Sequence, residues 1–416
     1  MHIVFVTPEL ATAGNSSGGL ASFTANMARI FASNGHKVTV LLATVKDEKL
    51  SFDEDIELKT TYIKKAIWNI FDKTAKICTF GEKENTVETR RFIVNFYRSG
   101  QVRKKIREIN KREKIDIIHY CSLSAMAFRA NKAIPYVIRL SSFSSICRGA
   151  NLPDGDIRFD SAGFSMKDRL LNYTLQKAKY VISPSKLLAD IGKKELGLEA
   201  TVIESPFVLT KIQWDESVFH SVIGNERYII HYGSLKYLKG THIVAKIVKS
   251  ILQTYPDLFL ILAGRNEELL DEDGIKVKAD ELVKRSAGEL ADRVLYAGSL
   301  SREQLYPFIQ NAELCLLPSR IENLSNACIE AMAMGKIVIG TNGASFEQLI
   351  DDRVSGFLCE RDNPESYLQA VNEALEMSNE DKEKMILKSA ERIKLLRPEI
   401  IYKKYLEFYE GVIREW

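Results

Sequence analysis

The sequence is poor in residues that staple a chain, hold a metal or anchor it in a bilayer. Its six cysteines (Cys78, Cys121, Cys147, Cys315, Cys328 and Cys359) lie far apart with no C-x-x-C spacing. That excludes a disulfide framework and reads as reduced, packed thiols of a cytoplasmic protein. Nor do the six histidines (His2, His36, His119, His220, His231 and His242) pair with Cys or Glu at ligand spacing, and no H-E-x-x-H occurs. No protein-held metal is expected. Ten prolines and 23 glycines without a period exclude collagen-like or low-complexity chains. The net charge is only +3, which gives no global field for a nucleic-acid partner. No run approaches the roughly 18 apolar residues of a spanning helix, and Met1–Val6 is too brief for a secretory signal.

What is present is a globular balance, 45% apolar and 27% charged over 416 residues, long enough for two or three domains at about 150 residues each. Short β-rich runs alternate with helical periods, the pattern of parallel sheets with crossover helices. In the first half the strand candidates are 2–6, 37–42, 115–120, 136–140, 180–182 and 201–203. Helical stretches fall at 20–33, 102–111, 166–177 and 186–195. A second series has strands at 228–232, 258–263, 294–297, 314–317, 337–340 and 356–359. Its first helix carries Ile243, Ile247 and Ile251 beside Val244, Val248 and Leu252, a stripe that should pack on a sheet. Two doubly wound, Rossmann-like α/β domains facing across a cleft are expected, 1–207 and 208–398. A final helix, 399–416, with Tyr402, Leu406, Tyr409 and Ile413 on one face, is expected to cross back to the first. Ligands of such sheets bind at the carboxyl ends of strands.

The densest constellation runs from Pro318 to Gly335, PSRIENLSNACIEAMAMG. It follows a buried strand and enters a helix, so the amides of Asn323, Leu324, Ser325 and Asn326 form an anion site at a helix start. Glu330 lies further into that helix, where a carboxylate can accept both hydroxyls of a ribose, and Glu322 stands at the loop edge. A second loop, Tyr232 to Gly240 (YGSLKYLKG), follows another strand. In the first half, Gly14 to Leu20 (GNSSGGL) opens a helix after the first strand but lacks the G-x-G-x-x-G of a dinucleotide fold.

These residues resemble the retaining glycosyltransferases of family 4, which have the two-domain GT-B fold. The resemblance spans nearly the whole chain and is densest from Tyr228 to Asp362. It rests on Glu322-x7-Glu330, the Tyr232–Gly240 loop, and the runs Ala297-Gly298-Ser299-Leu300, Leu317-Pro318-Ser319 and Glu330-Ala331-Met332-Ala333. It implies transfer of a sugar from a nucleotide diphosphate sugar to the hydroxyl of a glycan or lipid-linked acceptor, in polysaccharide, glycolipid or other cell-surface glycan synthesis. Anomeric configuration would be retained, with no metal and no cofactor beyond the donor. It further implies that Lys239 and the helix-start amides hold the diphosphate, Gly233 belongs to the diphosphate loop, Glu322 orients the donor sugar, Glu330 holds the ribose, and Gly18 and Gly19 line the phosphate and acceptor side. The family's diphosphate-loop arginine is Ser234 here, with Lys236 as a substitute charge. Its first-domain histidines correspond to His119 and Ser141.

Two other functions are open from the residues themselves: a nucleotide-sugar epimerase on the same architecture, and a degenerate binding or scaffold subunit, to which Ser234, Cys121 and Ser141 point. The segment Arg90–Lys114 holds ten Lys or Arg against Glu108 and Glu113. Upstream, Ile63, Ile67, Trp68, Ile70 and Phe71 alternate with Lys64, Lys65, Lys73 and Lys76. This is the composition of a peripheral face for an anionic membrane at the inner surface, and equally that of a core-packing helix with a solvated basic side.

Overall fold

The computed structural model describes residues 1–11, 18–44, 52–155, 157–159, 165–208 and 213–416. The chain forms two compact units, one comprising 1–145, 159–206 and 398–416 and the other 146–158 and 207–397.

The first unit is built on a seven-stranded parallel sheet of β1 (His2–Thr7), β2 (Lys37–Ala43), β3 (Glu57–Thr61), β4 (Ile117–Cys121), β5 (Tyr136–Arg139), β6 (Val181–Ser183) and β7 (Ala200–Val202). Their order is β3-β2-β1-β4-β5-β6-β7. β1 and β4 are buried along their whole length, so both read as nearly continuous apolar runs. Order reverses between β1 and β4, which makes the loops after these strands the switch point of this sheet. Helix α1 (Gly19–Ser33) follows β1, and α2 (Lys65–Cys78) and α3 (Lys83–Arg112) connect β3 to β4.

The second unit has a six-stranded parallel sheet of β8 (Arg227–Tyr232), β9 (Leu258–Ala263), β12 (Val294–Gly298), β13 (Leu314–Leu317), β14 (Ile337–Thr341) and β15 (Phe357–Cys359), in the order β12-β9-β8-β13-β14-β15. A small hairpin, β10 (Glu268–Leu270) and β11 (Lys276–Lys278), stands apart from it. The switch point lies between β8 and β13. The six apolar residues of the stripe on Thr241–Thr254 are each no more than 2% exposed and join the sheet in one core.

Several expectations need correction. The C-terminal helix Pro398–Glu415 buries Ile401, Tyr405, Tyr409 and Val412, a face turned from the one expected; Tyr402, Leu406 and Ile413 flank it, and Tyr402 reaches His36 at 2.8 Å. The segment Ile146–Arg158 groups with the second unit rather than the first, because Arg320 binds its carbonyls. Cys78 is exposed, so not every thiol is packed. The basic run is the end of one 30-residue helix, with Arg98 and Ser99 buried and charges such as Lys105 answered locally by Glu108 at 2.7 Å. Among the described residues no helix is long and apolar enough to cross a membrane.

Candidate functional site

The loops after β8 and β13 are brought together by backbone contact. Gly240 has φ +74°, and a Cβ there would lie 1.9 Å from the Pro318 carbonyl oxygen. Only glycine permits that approach. The Arg320 amide donates to the Leu238 carbonyl at 2.9 Å. His231 stitches the base of the site, with Nδ1 2.9 Å from the Leu316 carbonyl and Nε2 2.9 Å from the Thr241 hydroxyl; burial pushes its pKa down to about 4.

This clamp sets Lys239 against Glu322. The ammonium Nζ donates to Glu322 Oε1 at 2.5 Å, and both side chains are half-buried. The strand β13 then leads through Asn323 and Leu324 into the helix Asn326–Ala333. Ser325 is its N-cap, and its hydroxyl accepts the Cys328 amide at 3.3 Å. The amides of Asn326 and Ala327, ahead of that bond, point out of the helix end, where an anion is favoured. Ser345 donates to the Asn323 carbonyl at 2.5 Å and fixes the loop.

Glu330 sits one turn deeper and is 9% exposed. Burial raises its pKa, opposed by Arg302, whose guanidinium lies 3.5 Å away, and by the Tyr306 hydroxyl that bonds it. A carboxylate so held has little solvent to satisfy it and is ready to accept hydroxyls from a ligand. Ser234 stands at the loop mouth, half-buried, after Gly233 at φ +116°. Lys236 lies 3.9 Å from Glu267, so its charge is already partly answered.

Sequence reasoning missed four contributors. Gly264 (φ +132°) places its Cα so close to Gly233 that a Cβ would meet the Gly233 carbonyl oxygen at 1.7 Å. Arg302 and Tyr306 position Glu330. Arg320 is buried and fully engaged, donating to the carbonyls of Ala150 (3.2 Å), Leu152 (2.8 Å) and Gly155 (3.1 Å) and to Asp362 at 2.9 Å. A glycine directly after a strand signals Gly264; nothing local to Arg320 signals carbonyls some 170 residues away in the sequence.

The first unit treats its nominated residues differently. Gly18 is the N-cap of α1 and Gly19 its first residue, but the Ala21 amide bonds the Glu9 carboxylate, whose pKa burial raises. A carboxylate of the chain thus occupies part of this helix start. Gly14 to Ser17 lie outside the described residues. His119 is buried: it is 2% exposed, with Nδ1 2.6 Å from the Tyr409 hydroxyl and the rings of Phe5, Phe23 and Tyr405 at 5.2 to 6.1 Å. Burial pushes its pKa down to about 3. Ser141, at the other family position, donates its amide to the Ser122 hydroxyl at 2.9 Å. Among the described residues no group of His, Cys, Asp and Glu gathers as a metal site.

Comparison with known proteins divides the chain at the same place. Residues 213–392 match the family described as Glycosyl transferases group 1, and residues 17–206 match Glycosyltransferase Family 4. Similar curated proteins include the uncharacterized glycosyltransferase YqgM of Bacillus subtilis, 26% identical over 45% of this chain and 50% of its own. Another is the lipopolysaccharide 1,2-N-acetylglucosaminetransferase of Salmonella typhimurium, 25% identical over 45% of this chain and 48% of its own. The chain therefore spans about half the length of the curated relatives it matches. Similar solved structures include sucrose-phosphate synthase of Thermosynechococcus elongatus, with TM-score 0.70 and 14% identity over the full length of both chains. HepE of Anabaena in complex with UDP has TM-score 0.66 and 16% identity over 99% of this chain and 100% of its own.

Proposed function

Because this chain belongs to the family 4 glycosyltransferases and has their GT-B fold, we propose that it moves a sugar from a nucleotide diphosphate sugar to an acceptor hydroxyl with retention of configuration, in polysaccharide or glycolipid synthesis. The observation that carries the reading is the Lys239–Glu322 pair at 2.5 Å, held beside an open helix start and below a buried carboxylate. A leaving diphosphate gains negative charge as the glycosidic bond breaks. Lys239 and the first-turn amides of Asn326–Ala333 supply fixed positive charge to it, needing no reorganisation during the step. Glu322 keeps Lys239 in place and offers its second oxygen to sugar hydroxyls. Glu330, oriented by Arg302 and Tyr306, takes the ribose hydroxyls. None of these groups has to act as a nucleophile, and the diphosphate charge is met by the chain itself, without a metal.

The similarity to a UDP-bound chain supports a nucleotide in the second unit and leaves its base open. Calorimetric titration with UDP, GDP and ADP and their sugar conjugates is the test. One nucleotide is expected to bind selectively, and Glu330→Ala to weaken it about tenfold to a hundredfold, the loss of charge-assisted hydrogen bonds. Binding of none, or equal binding to native protein and variant, overturns the assignment and returns the chain to a scaffold role. Consumption of a bound sugar nucleotide without acceptor, giving its epimer, would make it an epimerase.

A further inference from the structure

The first unit holds a cavity of about 330 Å3 on α3, lined by Arg90, Arg91, Arg98, Lys167, Ser124 and Trp68 together with apolar side chains. Among the described residues that line it there is no carboxylate. Arg90, Val94 and Arg98 recur on one face of α3 at intervals of four, and Ser124 and Leu123 come from the turn after β4, at the switch point of the sheet. Three of the four cations are answered from behind: Arg90 by Asp72 at 2.6 Å, Arg91 by Glu88 at 2.6 Å and Lys167 by Glu88 at 3.9 Å. Trp68 lies beneath Arg90, its ring 5.4 Å from the guanidinium carbon.

Arg98 is different. It is 6% exposed, its Nη1 donates to the Ser124 hydroxyl at 3.1 Å, and its Nε has no hydrogen-bond partner among the described residues. Burial lowers its pKa, and no carboxylate opposes the shift. A guanidinium is rarely left in this condition, because a buried charge needs both an opposite charge and saturated donors. The turn that supplies Ser124 is itself strained, with Ser124 (φ 65°, ψ 15°) and Ala125 (φ 48°, ψ 36°) both left-handed. Two consecutive non-glycine residues in that region persist only where the surroundings over-determine them.

We propose that this cavity binds a phosphate-type anion, with Arg98 and Ser124 at its floor and Arg90, Arg91 and Lys167 around it, and that the acceptor is a phosphorylated molecule seated here. The second half of the proposal rests on the transferase reading; the anion site does not. A planar fork facing tetrahedral oxygens gives paired, charge-assisted bonds. The apolar wall of Val94, Leu123 and Leu171 suits the carbon skeleton next to the phosphate.

The test titrates the full chain with inorganic pyrophosphate, glycerol phosphate, and vesicles of phosphatidylglycerol or phosphatidylcholine, comparing the native protein with Arg98→Met, Arg98→Lys and Lys239→Ala. Anion binding should weaken about tenfold or more in Arg98→Met and less in Arg98→Lys, whereas Lys239→Ala should keep it and lose nucleotide binding. Binding of glycerol phosphate would mark a soluble sugar phosphate as the source. A response only to phosphatidylglycerol vesicles would mark a lipid headgroup. If Arg98→Met melts normally and binds every anion as the native chain does, the site is overturned. Should Arg98→Met misfold, equal anion binding by Arg98→Lys and a Ser124→Ala variant overturns it instead. Arg98-dependent anion binding without any nucleotide binding would leave the site standing and remove the transferase reading. Nucleotide binding without Arg98-dependent anion binding would do the reverse.

Discussion

The loops after β8 and β13 and those after β1 and β4 occupy equivalent places in two parallel sheets of like order, yet they handle charge in opposite ways. At the loops of the second unit these charges have partners within the chain: Lys239 with Glu322, Glu330 with Arg302, and Arg320 with three carbonyls and Asp362. In the first unit Glu9 occupies part of the helix start, His119 is sealed among aromatic rings, and Arg98 has one hydroxyl among the described residues. A satisfied polar cluster defines a geometry before a ligand arrives. An unsatisfied buried charge defines what the missing partner must be.

The two buried arginines give this contrast its largest measurable consequence. Arg320→Ala removes four hydrogen bonds, leaving three carbonyls without this donor and Asp362, among the described residues, with His242 alone. Removing a buried arginine that carries these bonds should cost about 3 kcal/mol, read as a lower midpoint in urea unfolding. Arg98→Met deletes a charge that no carboxylate among the described residues answers and should leave stability within about 1 kcal/mol of native, or raise it. Equal destabilisation by both variants would erase the distinction, because it would mean that Arg98 is a structural arginine too.

Acid stability tests the two sealed histidines. His119 and His231 have folded pKa values pushed down to about 3 and about 4 from an ordinary 6.5. Between those values and 6.5 the unfolded chain takes up protons that the native chain refuses. Stability is therefore complete above about pH 6.5 and falls as pH drops, by up to about 1.4 kcal/mol per pH unit for each ring. His119→Phe keeps the aromatic packing, loses the bond to Tyr409 at a cost of about 1 kcal/mol at neutral pH, and should flatten the acid limb. Nucleotide binding by the second unit should not change. An acid limb as steep as the native one would show that His119 is not sealed as described.

What was legible in the sequence follows from whether a signal is local. Strand candidates 258–263 and 314–317 coincide with β9 and β13, and the Ile–Val stripe of the helix after β8 is buried as its period demands. β3 was missed because its residues Glu57, Lys59 and Thr60 are half-exposed on an edge and carry no apolar run. The run from Arg90 to Lys114 is readable either as a membrane-facing basic side or as a core-packing helix with a solvated basic side, since nothing in its composition separates the exposed Arg91 from the buried Arg98. The C-terminal helix buries Tyr405 rather than Tyr402, a choice its own sequence does not signal because both are tyrosines: Tyr405 packs on the Phe23 ring of α1, and Tyr402 lies half-buried against Phe31 and His36. In the second unit the site residues lie within two short loops, so spacing carried them. Their supports, Gly264, Arg302 and Tyr306, come from other strands and helices and left no mark nearby.

The smallest expected effect concerns Ser234. In the family this position carries an arginine on the donor diphosphate, and here Lys236, the nearest alternative, is drawn toward Glu267 at 3.9 Å. Ser234 is half-buried in the loop after Gly233, so its side chain keeps a path to solvent. Ser234→Arg should therefore tighten nucleotide diphosphate binding by about threefold to tenfold, the worth of one partly solvated charge-assisted bond. The gain should shrink with added salt, as a solvent-screened contact must. Tightening of diphosphates but not of the nucleoside monophosphate would locate the new guanidinium on the β-phosphate. No tightening would mean that Lys239 and the helix-start amides already saturate the diphosphate, and that the serine is a substitution the second unit can carry without loss.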